Sequence, residues 1–322
     1  MNIDRTNTFG NDIILIDGFW GTGKSLISRI IAHLKGVENP KIEEIYEYIS
    51  SIFYLNKIDE DAGSWLIKTY ADRSQYNNLI GREINLRWRD DTGLKNRVNK
   101  IEIITRLFTQ DGDIVVDKIN TQNIAFSIMT HKLMLSPNLV FKSFGSRLKF
   151  IEILRHPIFI VEHYITYLLN FKSLREFTIS GYDEGEKIPW FCNSWKDEYF
   201  SLNETERSAL IISRGYNHIF SEISKLRHEN ILIVPFEELA SNTEVILDKI
   251  QLFTNRKFDS GVFKTLKKIN LPRVNDANNI DEKEYYRIFH KVKRECNQSV
   301  FNEFLNIINH YNNLYPSKYS FL

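Results

Sequence analysis

Cysteine is scarce: Cys192 and Cys296 are the only two in 322 residues, they stand far apart, and their spacing is not that of metal ligands. That leaves no disulfide framework to read and points to buried structural thiols in a reducing compartment. Charge of one sign is lacking too, with 42 Lys and Arg against 41 Asp and Glu. A duplex-binding protein carries a basic excess, so nucleic acid is not an expected primary partner. The N-terminal stretch MNIDRTNTFGND has no basic start leading into an apolar segment, and the run Ile13 to Ile16 is far too short to cross a bilayer. A cytoplasmic protein without a transmembrane segment is the expectation. No Pro/Gly/Ser-rich linker, repeat or low-complexity run divides the chain, so one domain is expected over 1–322.

What is present is an apolar and aromatic fraction of 43%, enough for a substantial core. Short apolar runs, DIILID at Asp12–Asp17, DIVVD at Asp113–Asp117, KFIEIL at Lys149–Leu154 and NILIV at Asn230–Val234, read as buried parallel strands. Helical spacing follows Ser25 as far as Gly36 and recurs over Thr121–Leu135, Pro157–Asn170 and Asn203–Leu226. Asn203 with Glu206 three residues on predicts a capping box, and Pro157 suits a first helical turn. The alternation predicts an α/β fold of three layers, a central parallel sheet flanked by helices. Two segments, about 42–108 and 171–197, break the alternation and read as mostly helical or loop insertions able to form an acceptor pocket and lid. A helical C-terminal part is expected over about 260–322.

The most informative segment is Gly18-Phe19-Trp20-Gly21-Thr22-Gly23-Lys24-Ser25, which satisfies G-x-x-x-x-G-K-[ST] between a predicted strand and a predicted helix. Glycines let backbone amides converge on an anion, and the helix N-terminus adds partial positive charge. Lys24 is placed to reach the outer oxygens, and Ser25 to hold an oxygen or Mg²⁺. Asp117, at the end of Ile-Val-Val-Asp, is a candidate metal-binding aspartate if the ligand is Mg-ATP.

Four blocks, in order, resemble the sulfotransferases that use 3′-phosphoadenosine 5′-phosphosulfate, especially the bacterial and carbohydrate-directed branches. They are IILIDGFWGTGKSLISRII, VVDKINTQNIAF, KFIEILRHPIFIVEHYITYLL and ENILIVPFEELASNTEVILDKIQLF. The resemblance implies a P-loop fold and transfer of a sulfuryl group to a hydroxyl or amine of a glycan or small metabolite. It implies that the loop from Gly18 through Ser25, with Leu26 after it, holds the 5′-phosphosulfate. It implies that Arg155 and His163 meet the 3′-phosphate, and that Lys118, at a position where the family has a lysine beside the site, joins Lys24 as an electrostatic helper. Four positions depart from the family pattern: Gly21 where a cation is common, His156 for an aspartate, His163 for a serine, and Asn120-Thr121 without the usual proline. Thr166, one turn past His163, is a substitute hydroxyl, and Glu237 is expected to bond backbone or loop.

A general base is not singled out. Glu43, Glu44, Glu47, Asp90, Asp91, His33 and His131 are the candidates. Trp65, Trp88, Trp190 and Trp195 read as core aromatics or as stacking platforms for a sugar ring, whereas Trp20, inside the loop, is placed to flank the donor. Two alternatives stay open: an ATP-dependent kinase or NTPase, and a nucleotide-binding protein without turnover.

Overall fold

A computed structural model describes residues 1–316 apart from 91, 184, 227 and 274–276. Strands β1 (Ile13–Asp17), β2 (Lys41–Ile42), β3 (Phe126–Met129), β4 (Leu148–Leu154) and, later in the chain, β7 (Ile231–Pro235) form one parallel sheet in the order β2-β3-β1-β4-β7. A hairpin, β5 (Ser180–Asp183) with β6 (Glu186–Pro189), stands apart from it.

The helices are α1 (Lys24–Ile31), α2 (Ile45–Tyr54), α3 (Glu60–Leu79), α4 (Lys100–Thr105), α5 (Asp113–Gln122), α6 (Asn138–Phe144) and α7 (Val161–Asn170). Then come α8 (Lys196–Ser201), α9 (Glu204–Lys225), α10 (Phe236–Ser241), α11 (Thr243–Thr254), α12 (Gly261–Lys268), α13 (Ala277–Glu295) and α14 (Gln298–Leu314).

Both faces of the sheet are covered, which is why its strands read as unbroken apolar runs. Ile13, Leu15, Phe126, Phe150 and Leu154 face one core, completed by Tyr164 of α7, Tyr216 of α9 and Phe304 of α14. Ile14, Ile16, Met129, Ile151 and Ile153 face the other, completed by Ile27 and Ile30 of α1, Ile250 of α11 and Val262 of α12. The three expected layers are present. Helix α9 starts at the predicted capping box: the Asn203 carboxamide accepts from the amides of Thr205 and Glu206, and the Glu206 carboxylate accepts from the amide of Asn203.

The main correction concerns DIVVD. It is not a strand but the first half of α5, and the strand beside β1 is Phe126–Met129. On a helix, Val115 and Ile119 fall one turn apart and are buried with Leu79 and Ile80 of the α3 end, while Ile114 and Asp117 point outward. A left-handed Asn123 ends the helix and turns the chain into β3. The helix expected over Thr121–Leu135 therefore does not exist as such. Helix α1 likewise stops at Ile31, before Gly36. The first insertion is mostly helical, as expected, and the second carries the β5–β6 hairpin.

Candidate active site

Because every strand of the sheet runs the same way, the segments leaving β1, β3, β4 and β7 meet at one edge, where ligands of open α/β sheets bind. Leaving β1 is the glycine loop. Its N–H groups at Gly21, Gly23, Lys24 and Ser25 have no acceptor within the chain among the described residues. Gly23 holds the left-handed conformation at the N-cap of α1, with φ 98°. Ser25 is exposed beside it. Four undirected amides at a helix N-terminus make an anion-binding concavity.

The side chains of the loop divide by role. Lys24 is 5% exposed and donates to the carbonyls of Gly18 (2.6 Å) and Phe19 (2.7 Å). Burial lowers its pKa to about 8, against the raising effect of Asp17, Glu47 and Glu152. Its ammonium is thus stored on the loop's own carbonyls, next to the free amides. Thr22 is buried and its hydroxyl donates to the Phe19 carbonyl, so it staples the loop rather than facing a ligand. Phe19 points into the core, edge-on to Tyr164 and Tyr216. Leu26, on α1, packs its side chain against the second core. The amides of Thr22 and Leu26 are engaged as well, by the carbonyls of Phe19 (3.3 Å) and Gly23 (2.9 Å), so neither residue offers a free N–H to a donor.

Arg155 follows β4 and donates from Nη1 to the Gly21 carbonyl at 2.7 Å, its guanidinium 4.7 Å from the Phe236 ring centroid and 5.2 Å from that of Phe159. His163, on the first turn of α7, lies over Gly21: a Cβ built on that glycine would sit 2.2 Å from the His163 ring. Two departures from the sulfotransferase pattern are therefore one. The imidazole occupies the space that a longer side chain at position 21 would need. Burial, and then Arg155, lowers the pKa of His163. Glu237, after β7, accepts from the His156 amide (2.9 Å) and from the Tyr311 hydroxyl (2.7 Å), the expected bond to backbone.

Lys118 and Asp117 are not here. Both lie on α5, which runs into the start of β3 at the opposite edge of the sheet, and Asp117 is exposed. The lysine that reaches the site is Lys132, three residues past β3. It is 4% exposed, its Nζ lies 3.4 Å from the Trp20 ring centroid, and no hydrogen bond or ion pair holds that ammonium among the described residues. Burial lowers its pKa, opposed by Glu47, Glu176, Asp17 and Glu44. Lys132 also has φ 60°; every other non-glycine residue with positive φ among those described is Asn, which tolerates that region. Backbone strain at a lysine that lines a cavity is the kind that persists at functional sites.

That cavity, of about 530 Å³, opens beside Trp20 and Gly21 and is lined by Glu44, Glu47, His131, Lys132, His163 and Thr166, among others. Of the base candidates, it gathers Glu44, Glu47 and His131. Glu47 accepts from the His131 amide, and burial raises its pKa to about 7, with Lys132 and Lys24 pulling the other way. Burial, then Lys24 and Lys132, holds His131 well below the ordinary histidine range, so it is neutral. Glu43 is paired with Lys41 at 3.0 Å, His33 is engaged by Asp259 and Thr265, and Asp90 sits in the loop with Asn85. Asp91 lies outside the described residues. Trp190 lines the cavity, whereas Trp88 is exposed at the surface.

No protein-family model matches the chain, and no curated protein matches it in sequence. Solved structures similar to it include the sulfotransferase domain of the Synechococcus PCC 7002 olefin synthase, at 13% identity and TM-score 0.46 over 97% of this chain and 98% of that one. The sulfotransferase domain from the curacin biosynthetic pathway is similar at 12% identity and TM-score 0.43, over 80% and 78% of the two chains. Sulfotransferase STF9 from Mycobacterium avium is similar at 11% identity and TM-score 0.43, over 92% and 76%.

Proposed function

We propose that the protein is a P-loop sulfotransferase that moves a sulfuryl group from 3′-phosphoadenosine 5′-phosphosulfate to a hydroxyl or amine of a glycan or small metabolite. The observation that carries this reading is the adjacency of three elements at one sheet edge. Free loop amides with Lys24 can hold a 5′-phosphosulfate, and Arg155 with His163 stand at Gly21 for a second phosphate. A cavity containing an unpaired buried ammonium, Lys132, and a carboxyl poised near neutrality, Glu47, adjoins them.

The roles follow from charge. An acceptor oxygen attacks sulfur and its proton passes to Glu47, while the bond from sulfur to the phosphate oxygen breaks and the electron pair leaves with the adenosine bisphosphate. A base whose pKa lies near the working pH is the efficient choice. Negative charge grows on the departing oxygen and is met by amides already in place and by Lys24, released from the carbonyls of Gly18 and Phe19. Lys132 is placed to neutralise the sulfuryl oxygens.

The kinase reading loses its metal ligand. Asp117 is on α5, and β3, the neighbour of β1, ends at Met129 and is followed by Thr130. Asp17 is occupied by the Thr130 hydroxyl (2.9 Å) and the Met134 amide (2.9 Å).

Thermal melting tests the proposal. A ligand at a hundred times its dissociation constant stabilises by about 2.7 kcal/mol. 3′-Phosphoadenosine 5′-phosphate is expected to raise Tm without Mg²⁺. A rise with Mg-ATP alone would replace the proposal with the kinase reading, and no rise with either would end it.

A further inference from the structure

The cavity holds more carboxylate than sulfuryl transfer uses. Besides Glu47 it is lined by Glu44 and Glu176, and neither forms an ion pair among the described residues. Glu44 is met by the Tyr48 hydroxyl at 3.4 Å, and Glu176 by the amide of Thr178 at 2.8 Å. Burial, then Glu47, raises the pKa of Glu44, and Glu176 adds to the effect, so the carboxylates feel one another. Arg175 reaches the rim but its guanidinium is in no ion pair among the described residues. At the loop end stands the opposite sign, the buried ammonium of Lys132 against Trp20.

A donor in the loop brings its own negative charge to Lys132, and Glu47 takes the acceptor's proton. Glu44 and Glu176 are then left facing a cavity walled by Tyr48, Tyr167, Phe177 and Trp190. Carboxylates and aromatic faces together favour a cation.

We propose that the acceptor is a small organic cation, a hydroxyl compound carrying an ammonium group remote from the hydroxyl, with the ammonium held by Glu44 and Glu176. This rests on the sulfotransferase reading of the same site. A volume of about 530 Å³ limits the acceptor to a small molecule or one or two sugar rings.

Two probe series separate the charge from the scaffold. One is tyramine, 4-ethylphenol and 3-(4-hydroxyphenyl)propionate; the other is glucosamine, glucose and glucuronate. Calorimetry on the complex with 3′-phosphoadenosine 5′-phosphate is expected to rank the amine at least tenfold tighter than its neutral partner in at least one series, with the acid weakest. Glu44→Gln/Glu176→Gln is expected to bring the amine down to the neutral compound while the bisphosphate still binds. The proposal is overturned if neutral or acidic compounds bind as tightly as amines, if neither amine binds, or if the double variant keeps the preference. The same charge ranking, read on the nucleotide-free protein, decides the proposal even if the bisphosphate fails to bind, an outcome that strikes the sulfotransferase reading instead.

Discussion

Glu47→Gln should make the protein more stable and less active at once. Burial moves the Glu47 pKa from 4.5 to about 7. Between those values the native state keeps a proton that the unfolded chain has released, so this residue makes stability fall as pH rises. Each unit is worth about 1.4 kcal/mol, and the 2.5-unit gap gives a cost of about 3 kcal/mol above pH 7. A glutamine does not titrate and can still accept from the His131 amide. The variant should match the wild type below pH 4.5 and exceed it at pH 8 by up to about 3 kcal/mol, a figure that already contains the pull of Lys132 and Lys24 on the carboxylate. Urea unfolding at pH 5, 6, 7 and 8 measures this without any substrate. In turnover, loss of the base should lower kcat about 10²- to 10⁴-fold and erase the rise in rate through pH 7. A stability difference that does not change with pH, or a variant weaker at pH 8 than at pH 5, would refute the reasoning, because it would mean that the neighbouring ammonium groups keep Glu47 ionised.

Lys132→Met should lower kcat by about 10²-fold or more while changing bisphosphate affinity less than about tenfold, since its charge acts on the sulfuryl group; an unchanged kcat removes Lys132 from the chemistry. Arg155→Ala should weaken 3′-phosphoadenosine 5′-phosphate by about ten- to a hundredfold and leave adenosine 5′-phosphate unaffected, and equal losses in calorimetry would deny a 3′-phosphate contact. On α9, a Cβ at Gly215 would stand 2.4 Å from Phe19 Cζ, in a ring already wedged between Tyr164 and Tyr216. Overpacking there should outweigh the helix propensity of alanine, roughly 1 kcal/mol, so that Gly215→Ala destabilises by about 1–3 kcal/mol in urea; a stabilised variant would show that the ring moves aside.

Much of the site was readable because its backbone conformation demands particular residues. A loop that must present amides and accept positive φ is written in glycine, and its strand and helix are marked by burial period. The same holds for the α9 cap. What could not be read was a competition between propensities. Ile-Val-Val is β-branched and looks like a strand, yet Val115 and Ile119 are also one helical turn apart, and packing against the end of α3 selects the helix. The true strand is disguised because Ser127 interrupts the apolar run Phe126–Met129. Misplacing that strand also misplaced the lysine, from Lys132 to Lys118. No local signal marks Lys132: its left-handed backbone becomes visible only in three dimensions. Position also decides the loop. Trp20 and Phe19 are neighbours in sequence, but one faces the cavity and the other the core.

The most direct measurement is a crystal structure with 3′-phosphoadenosine 5′-phosphate. The account predicts the 5′-phosphate on the amides of Gly21, Gly23, Lys24 and Ser25, with Lys24 Nζ drawn off the carbonyls of Gly18 and Phe19 and Arg155 turned to the 3′-phosphate. A nucleotide bound elsewhere, or a loop still closed on its own lysine beneath the bound nucleotide, would contradict it.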